Sequence, residues 1–292
     1  MPMKTVAHPR LIPLAIACLL LSAASIAAAA PPRTPPPQEY TLAVFPFLPA
    51  SNLEGIFAPI AAELSKAVGK PVRFRVTSTY DAYIAALKEK KFDIVHIHPF
   101  DYVQFGQSIG YKPLVARVEG LYADFTVKNG SPIRRLADLR GKQVGTPPST
   151  GSVTYLARAA LLQAGIGPEE ISIRNFPNHL ACLQQLQIGS VDACATSAPA
   201  VRVFEAQFGL KLQQIGRSQV IPHALFAVHS RVPAGDRKKI RDSLLASTME
   251  NVDPKLRALF IEPGSTTPGH YFRPVNDRDY APARRILKQL GN

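Results

Sequence analysis

The stretch from Gly145 to Gly165 reads GTPPSTGSVTYLARAALLQAG, and its turn Ser149-Thr150-Gly151-Ser152 sets three hydroxyls directly before an amphipathic helical pattern. The first turn of a helix leaves backbone N–H groups without partners and carries the positive end of the helix dipole. Such an end attracts an anion, and hydroxyls add neutral donors that hold an oxyanion without a salt bridge. Plain helix capping is the alternative, and one hydroxyl would suffice for it. Tyr80 and His179 add further donors at the start of two other helical patterns.

A second polar group is His96-Ile97-His98-Pro99-Phe100-Asp101-Tyr102. His96 and His98 share one face of a strand and with Asp101 resemble metal ligands, but a third firm ligand is missing. The preferred reading is Tyr102 as an anion donor and no metal. Gly106-Gln107-Ser108-Ile109-Gly110 matches G-x-S-x-G, which would make Ser108 a hydrolase nucleophile. That elbow requires a strand before the serine and a helix after it. Here a helical pattern over 100–108 precedes and a strand containing Pro113 follows, so Gly110 reads as a helix stop. Phosphate-loop and dinucleotide fingerprints are absent, as are paired carboxylates. The chain is equipped to bind an anion rather than to turn one over, so neither catalysis nor a cofactor is expected.

The elements that position these groups alternate. Tyr40–Phe45 reads as a strand; Leu53, Ile56, Phe57, Ile60, Ala61, Leu64 and Val68 fall at helical spacing, closed by Gly69. Pro59 marks first turns or a kink in that helix. Val72–Thr77 is a strand, Tyr80–Lys90 a helix and Phe92–Ile97 a strand. The order recurs in Gln143–Thr146, the helix after Ser152, Ile171–Asn175, His179–Ile188 and Val191–Thr196. Tyr80 precedes Asp93 by thirteen residues, and His179 precedes Asp192 by thirteen, with Pro99 and Pro199 just beyond. Two tandem α/β units follow, each a mostly parallel sheet flanked by helices. Ligands of such sheets bind beyond the carboxyl ends of the strands, so the expected site is the gap between the units. Strands over 122–128 and 225–228 carry the chain across and back and form the hinge. The boundaries are 40–121 plus 226–292 for lobe 1 and 122–225 for lobe 2, with the tail packed on lobe 1.

Residues 1–30 read as a secretory signal peptide, with Lys4 and Arg10 before an apolar run that ends in alanines. A membrane anchor is the rival reading. Cys18 lies too early for a lipid attachment site, and Pro-rich 31–39 is a stiff linker. The formal charge is +13, to which Lys4 and Arg10 contribute, and it is spread without an arginine and lysine stripe interleaved with aromatics. Nucleic acid is not an expected partner. In an exported protein Cys182 and Cys194 stand either as a disulfide or as two small buried apolar side chains.

The runs RRLADLRGKQVG, TSTYDAYIAALKEKKFDIVHIHPFDYV, STGSVTYLARAALLQAGI and NHLACLQQLQIGSVDACA together resemble the phosphate, phosphite and phosphonate branch of periplasmic substrate-binding proteins of ABC transporters. The resemblance spans roughly residues 41–228. It implies a two-lobed type 2 periplasmic-binding-protein fold. It also implies capture of a small phosphorus-type oxyanion for an inner-membrane permease, by a periplasmic monomer without a cofactor. By motif position the ligand-binding residues are Tyr80, Tyr102, Ser149, Thr150, Gly151, Ser152 and His179, with His98, Asp101 and Thr196 in weaker support. The family's third turn serine is Gly151 here, and its serine before the tyrosine is Asp101. An ionised Asp101 repels a dianion unless it takes a hydrogen bond from a P–OH or As–OH group or points away. Where aminophosphonate binders carry a carboxylate or amide, this chain has Thr196, Ser197 and Ala198, which favours a small inorganic oxyanion. Two alternatives stand beside import: an oxyanion adaptor for a sensor histidine kinase, and a secreted serine hydrolase using Ser108.

Overall fold

The computed structural model describes residues 2, 39–248, 250–256 and 271–291, so the expected signal peptide and linker residues 31–38 lie outside the described residues. Strand β1 (Tyr40–Val44) pairs in parallel with β2 (Val72–Val76) and β3 (Ile94–Ile97). Helix α1 (Ala50–Val68) connects β1 to β2, and α2 (Tyr80–Lys88) connects β2 to β3. Seven apolar residues of α1, from Leu53 to Val68, are buried against that sheet. This burial lets the helix continue past Pro59, although the proline cannot donate to the Gly55 carbonyl. Gly69 closes α1 in the left-handed conformation that glycine adopts freely.

The second lobe repeats the plan. Strand β7 (Gln143–Thr146) pairs in parallel with β8 (Ser172–Asn175) and β9 (Ala193–Thr196), joined through α4 (Ser152–Gln163) and α5 (His179–Ile188). The matched aspartates have matched structural duties. Asp93 Oδ2 accepts the Thr41 N–H at 2.8 Å, and Asp192 Oδ2 accepts the Gln143 N–H at 2.8 Å. Each carboxylate thereby locks the start of the strand next to its sheet's edge, β1 in lobe 1 and β7 in lobe 2.

The sheets are mixed rather than mostly parallel, because the strands returning from the other lobe enter antiparallel. Sheet order in lobe 1 is β13-β4-β12-β3-β1-β2, where β4 is Tyr111–Arg117, β12 Leu225–His229 and β13 Phe272–Pro274. In lobe 2 it is β10-β6-β9-β7-β8, where β6 is Asp124–Lys128 and β10 Leu212–Arg217. Between them β5 (Gly120–Leu121) and β11 (Ile221–Pro222) pair as a two-stranded ribbon. The chain passes between the sheets through these two short adjacent segments, whereas the strands expected as the hinge, 122–128 and 225–228, lie largely within the lobe 2 and lobe 1 sheets as β6 and β12.

One expected placement changes. The last helix, α8 (Ala281–Gln289), buries Ala283, Ile286 and Leu287 in the cluster that holds Phe125, Val144 and Leu156 of lobe 2, not in lobe 1. Its lead-in stays behind, since Tyr280 packs in the lobe 1 cluster with Tyr102 and Tyr111. Helix α7 (Ala234–Ala246) buries Ile240 and Leu244 on lobe 1 as expected of the tail. Cys182 and Cys194 form a disulfide with Cα atoms 6.2 Å apart, tying α5 to β9. Gly145 on β7 makes room for it: a Cβ there would lie 2.7 Å from Cys182 Sγ and 2.9 Å from the Phe176 ring.

Candidate functional site

Local rules fix the starts of the helices that carry the candidate donors. Thr79 caps α2 by accepting the Ala82 N–H, and Asn178 caps α5 by accepting the Ala181 N–H. Tyr80 and His179 are therefore the first helical residues of equivalent helices. At α4 the capping explanation fails. Gly151 occupies the N-cap position and no side chain caps the helix. Ser149 and Thr150 are exposed, while Ser152 Oγ is buried with no hydrogen-bond partner among the described residues. A Cβ at Gly151 would stand 3.0 Å from the Pro148 carbonyl, which accounts for glycine at the tight turn and the hydroxyl one place later.

His179 is held in one useful form. Its Nδ1 accepts the Ser197 N–H at 3.2 Å, so that nitrogen carries no proton. Burial, with a smaller contribution from His98, lowers its pKa to about 4. The ring is then neutral near pH 7, and its proton sits on Nε2, assigned from the hydrogen bond. A neutral N–H donor results. Thr196, at the end of β9, is fully buried and its hydroxyl also lacks a partner among the described residues.

Lobe 1 contributes a different arrangement. The Tyr80 hydroxyl donates to Asp101 Oδ1 in a short hydrogen bond. Burial first, then the Asp101 charge, raises the phenol pKa, so it stays protonated. Asp101 is 3% exposed, and its Oδ2 lies 3.5 Å from His98 Nδ1 without a hydrogen-bond partner among the described residues. His98 is in electrostatic reach of His179, and Tyr80 of Tyr155 on α4. Phe100, beside Asp101, stacks on Tyr155 with ring centroids 4.8 Å apart. Phe100 of lobe 1 thus packs on Tyr155 of lobe 2, with Tyr80, His98 and Asp101 on the first side and His179 and the start of α4 on the second.

Tyr102 does not join them. It is 1% exposed, and its hydroxyl donates to Asp277 Oδ1 at 2.7 Å. Successive helical residues diverge by about 100°, so when Asp101 faces Tyr80 its neighbour must face elsewhere. His96 turns into an aromatic nest of Phe45, Phe57 and Phe226, where burial drives its pKa down and keeps it neutral. Among the described residues, no group of three His, Cys, Asp or Glu side chains is arranged to hold a metal ion. Ser108 sits on an exposed turn after a π-helix over Tyr102–Gly106, its hydroxyl donating to the Phe105 carbonyl at 3.0 Å. With no strand leading into it, the hydrolase elbow is not formed.

Sequence reasoning missed Tyr155, whose spacing of three from Ser152 puts it on the same helical face. It also missed a half-buried group at the lobe crossing, where Arg117 Nη1 lies 3.5 Å from His223 Nε2 and Arg117 Nε 3.4 Å from Glu119. No sequence signal marked that group, because its members come from two segments about a hundred residues apart.

Residues 42–280 match the family model described as ABC transporter, phosphonate, periplasmic substrate-binding protein. The chain belongs to that family. The fold agrees: PhnD1 from Prochlorococcus marinus (MIT 9301), solved in complex with methylphosphonate, is similar with a TM-score of 0.68 at 17% identity, covering 87% of this chain and 99% of that one. A binding protein component of an ABC phosphonate transporter from Pseudomonas aeruginosa is similar with a TM-score of 0.63 at 16% identity, covering 87% of each chain. The periplasmic aliphatic sulphonate binding protein SsuA from Escherichia coli is similar as well, with a TM-score of 0.59, 16% identity and 87% of each chain covered. At these identities the likeness is one of architecture, a type 2 periplasmic binding fold. The family's members are substrate-binding components of transporters and not enzymes, and they work in the periplasm with an ABC permease.

Proposed function

We propose that this family member captures a small phosphorus-type oxyanion (phosphate, phosphite or a phosphonate) between its lobes and delivers it to the permease of an ABC importer. The carrying observation is the donor set of lobe 2: a neutral His179 whose proton is confined to Nε2, with the buried, partnerless hydroxyls of Ser152 at the start of α4 and of Thr196, the neighbour of the Ser197 that bonds His179. The uncapped start of α4 adds its free N–H groups and dipole. Burial strengthens each charge-assisted hydrogen bond to the anion, and neutral donors avoid the cost of a buried, uncompensated cation when the site is empty. Ser149 and Thr150 are the exposed rim of the same turn, placed to close on the ligand as the hinge moves.

The test is a thermal-shift panel of phosphate, phosphite, methylphosphonate, arsenate, arsenite, sulfate and selenate. A ligand that binds only the folded protein raises its melting point, by about 2.7 kcal/mol of added stability at a hundredfold excess over Kd. Phosphorus oxyanions raise it, and Thr150→Val, an exposed substitution, lowers that response without moving the unliganded Tm. No response to any phosphorus oxyanion refutes the reading.

A further inference from the structure

We infer that Asp101 makes this site selective for oxyanions that carry an O–H group, admitting hydrogenphosphate-like and hydrogenphosphonate-like ligands and rejecting sulfonates and esters of the same shape. The inference rests on the proposed oxyanion function and names the chemical class within it. Its ground is an acceptor in a site otherwise made of donors. Asp101 is buried, its Oδ1 is engaged by Tyr80, and its Oδ2 has no hydrogen-bond partner among the described residues. The groups facing it are Tyr80 and Tyr83 on α2 and His98 before α3 (Pro99–Asp101). Among the described residues no lysine or arginine is paired with it.

A carboxylate can only accept. The lobe 2 donors of the proposed site, His179 Nε2–H and the Ser152 and Thr196 hydroxyls, call for ligand oxygens that accept. One ligand class meets both demands: a tetrahedral anion with ionised oxygens toward lobe 2 and one X–OH donating to Asp101 Oδ2. A sulfonate offers oxygens alone, so one of them faces the carboxylate across a desolvated gap, where like charges repel strongly. The fold does not make this choice, since a sulphonate binder and a phosphonate binder share it.

The experiment compares methylphosphonate, methanesulfonate and monomethyl methylphosphonate by calorimetry, at a pH where methylphosphonate retains one P–OH. In the wild-type protein, methylphosphonate binds about a hundredfold or more tighter than either analogue, because each analogue leaves a buried acceptor unpaired. Asp101→Asn offers an N–H₂ donor in place of the charge, so methanesulfonate binding improves and the ratio narrows to about tenfold or less. Equal wild-type affinities for methylphosphonate and methanesulfonate overturn the inference and leave the oxyanion reading standing. An unchanged ratio in Asp101→Asn overturns it too. Failure of phosphate, phosphite and methylphosphonate alike overturns both. The wild-type comparison decides even where the variant does not fold.

Discussion

Thr196→Val is predicted to move stability and affinity in opposite directions. The side chain is fully buried at the end of β9, and its hydroxyl has no partner among the described residues. Valine keeps the shape and removes the polar atom. A buried hydroxyl left without a hydrogen bond costs about 1–3 kcal/mol, which the substitution relieves. In a domain of this size each kcal/mol shifts Tm by about 2–4 °C, so the unliganded protein melts at least about 2 °C higher. In the proposed liganded state the same hydroxyl donates to the anion, and losing such a bond costs about 1.5–3 kcal/mol, roughly ten- to a hundredfold in Kd. Differential scanning calorimetry of the free protein and titration with methylphosphonate measure the two arms. A lower unliganded Tm, or unaltered affinity, would refute the reasoning, since either means that the hydroxyl is already satisfied within the protein or faces away from the ligand.

Other outcomes follow from the same geometry. His179 has a pKa of about 4 folded against 6.5 as an ordinary value, so between these pH values the unfolded chain binds more protons and stability rises with pH. The contribution is fully present above pH 6.5 and is lost as pH falls toward 4, worth at most about 3 kcal/mol. His179→Gln flattens that part of a Tm-against-pH profile, and an unchanged slope counts against the assignment. Tyr102→Phe removes a buried donor from Asp277, lowering stability by about 1–3 kcal/mol in denaturant unfolding. Its oxyanion affinity stays at the wild-type value, and a large loss would return Tyr102 to the site. Gly145→Ala forces a methyl against Cys182 Sγ and the Phe176 ring, costing about 1–3 kcal/mol. A variant as stable as wild type would mean that β7 and α5 separate more readily than their packing indicates.

Much of this protein was legible because its information is local. The strand and helix alternation and the paired spacing of Tyr80–Asp93 and His179–Asp192 each depend on residues within one short segment. Short-range hydrogen bonding and apolar periodicity are enough to fix such features. They put Tyr80 and His179 at equivalent helix starts from the sequence alone. What the sequence left open depends on direction and partnership. Which of Asp101 and Tyr102 faces the site turns on the rotation of a helix that starts at Pro99 and passes into a π-turn. An amphipathic α8 shows an apolar stripe but not which lobe covers it, and the structure gives it to lobe 2. The carboxylate beside Tyr80, the crossing Arg117–Glu119–His223 group and the His179 tautomer likewise arise from contacts between distant segments. Local propensity sets the elements; only their packing decides which donors and acceptors end up facing one another.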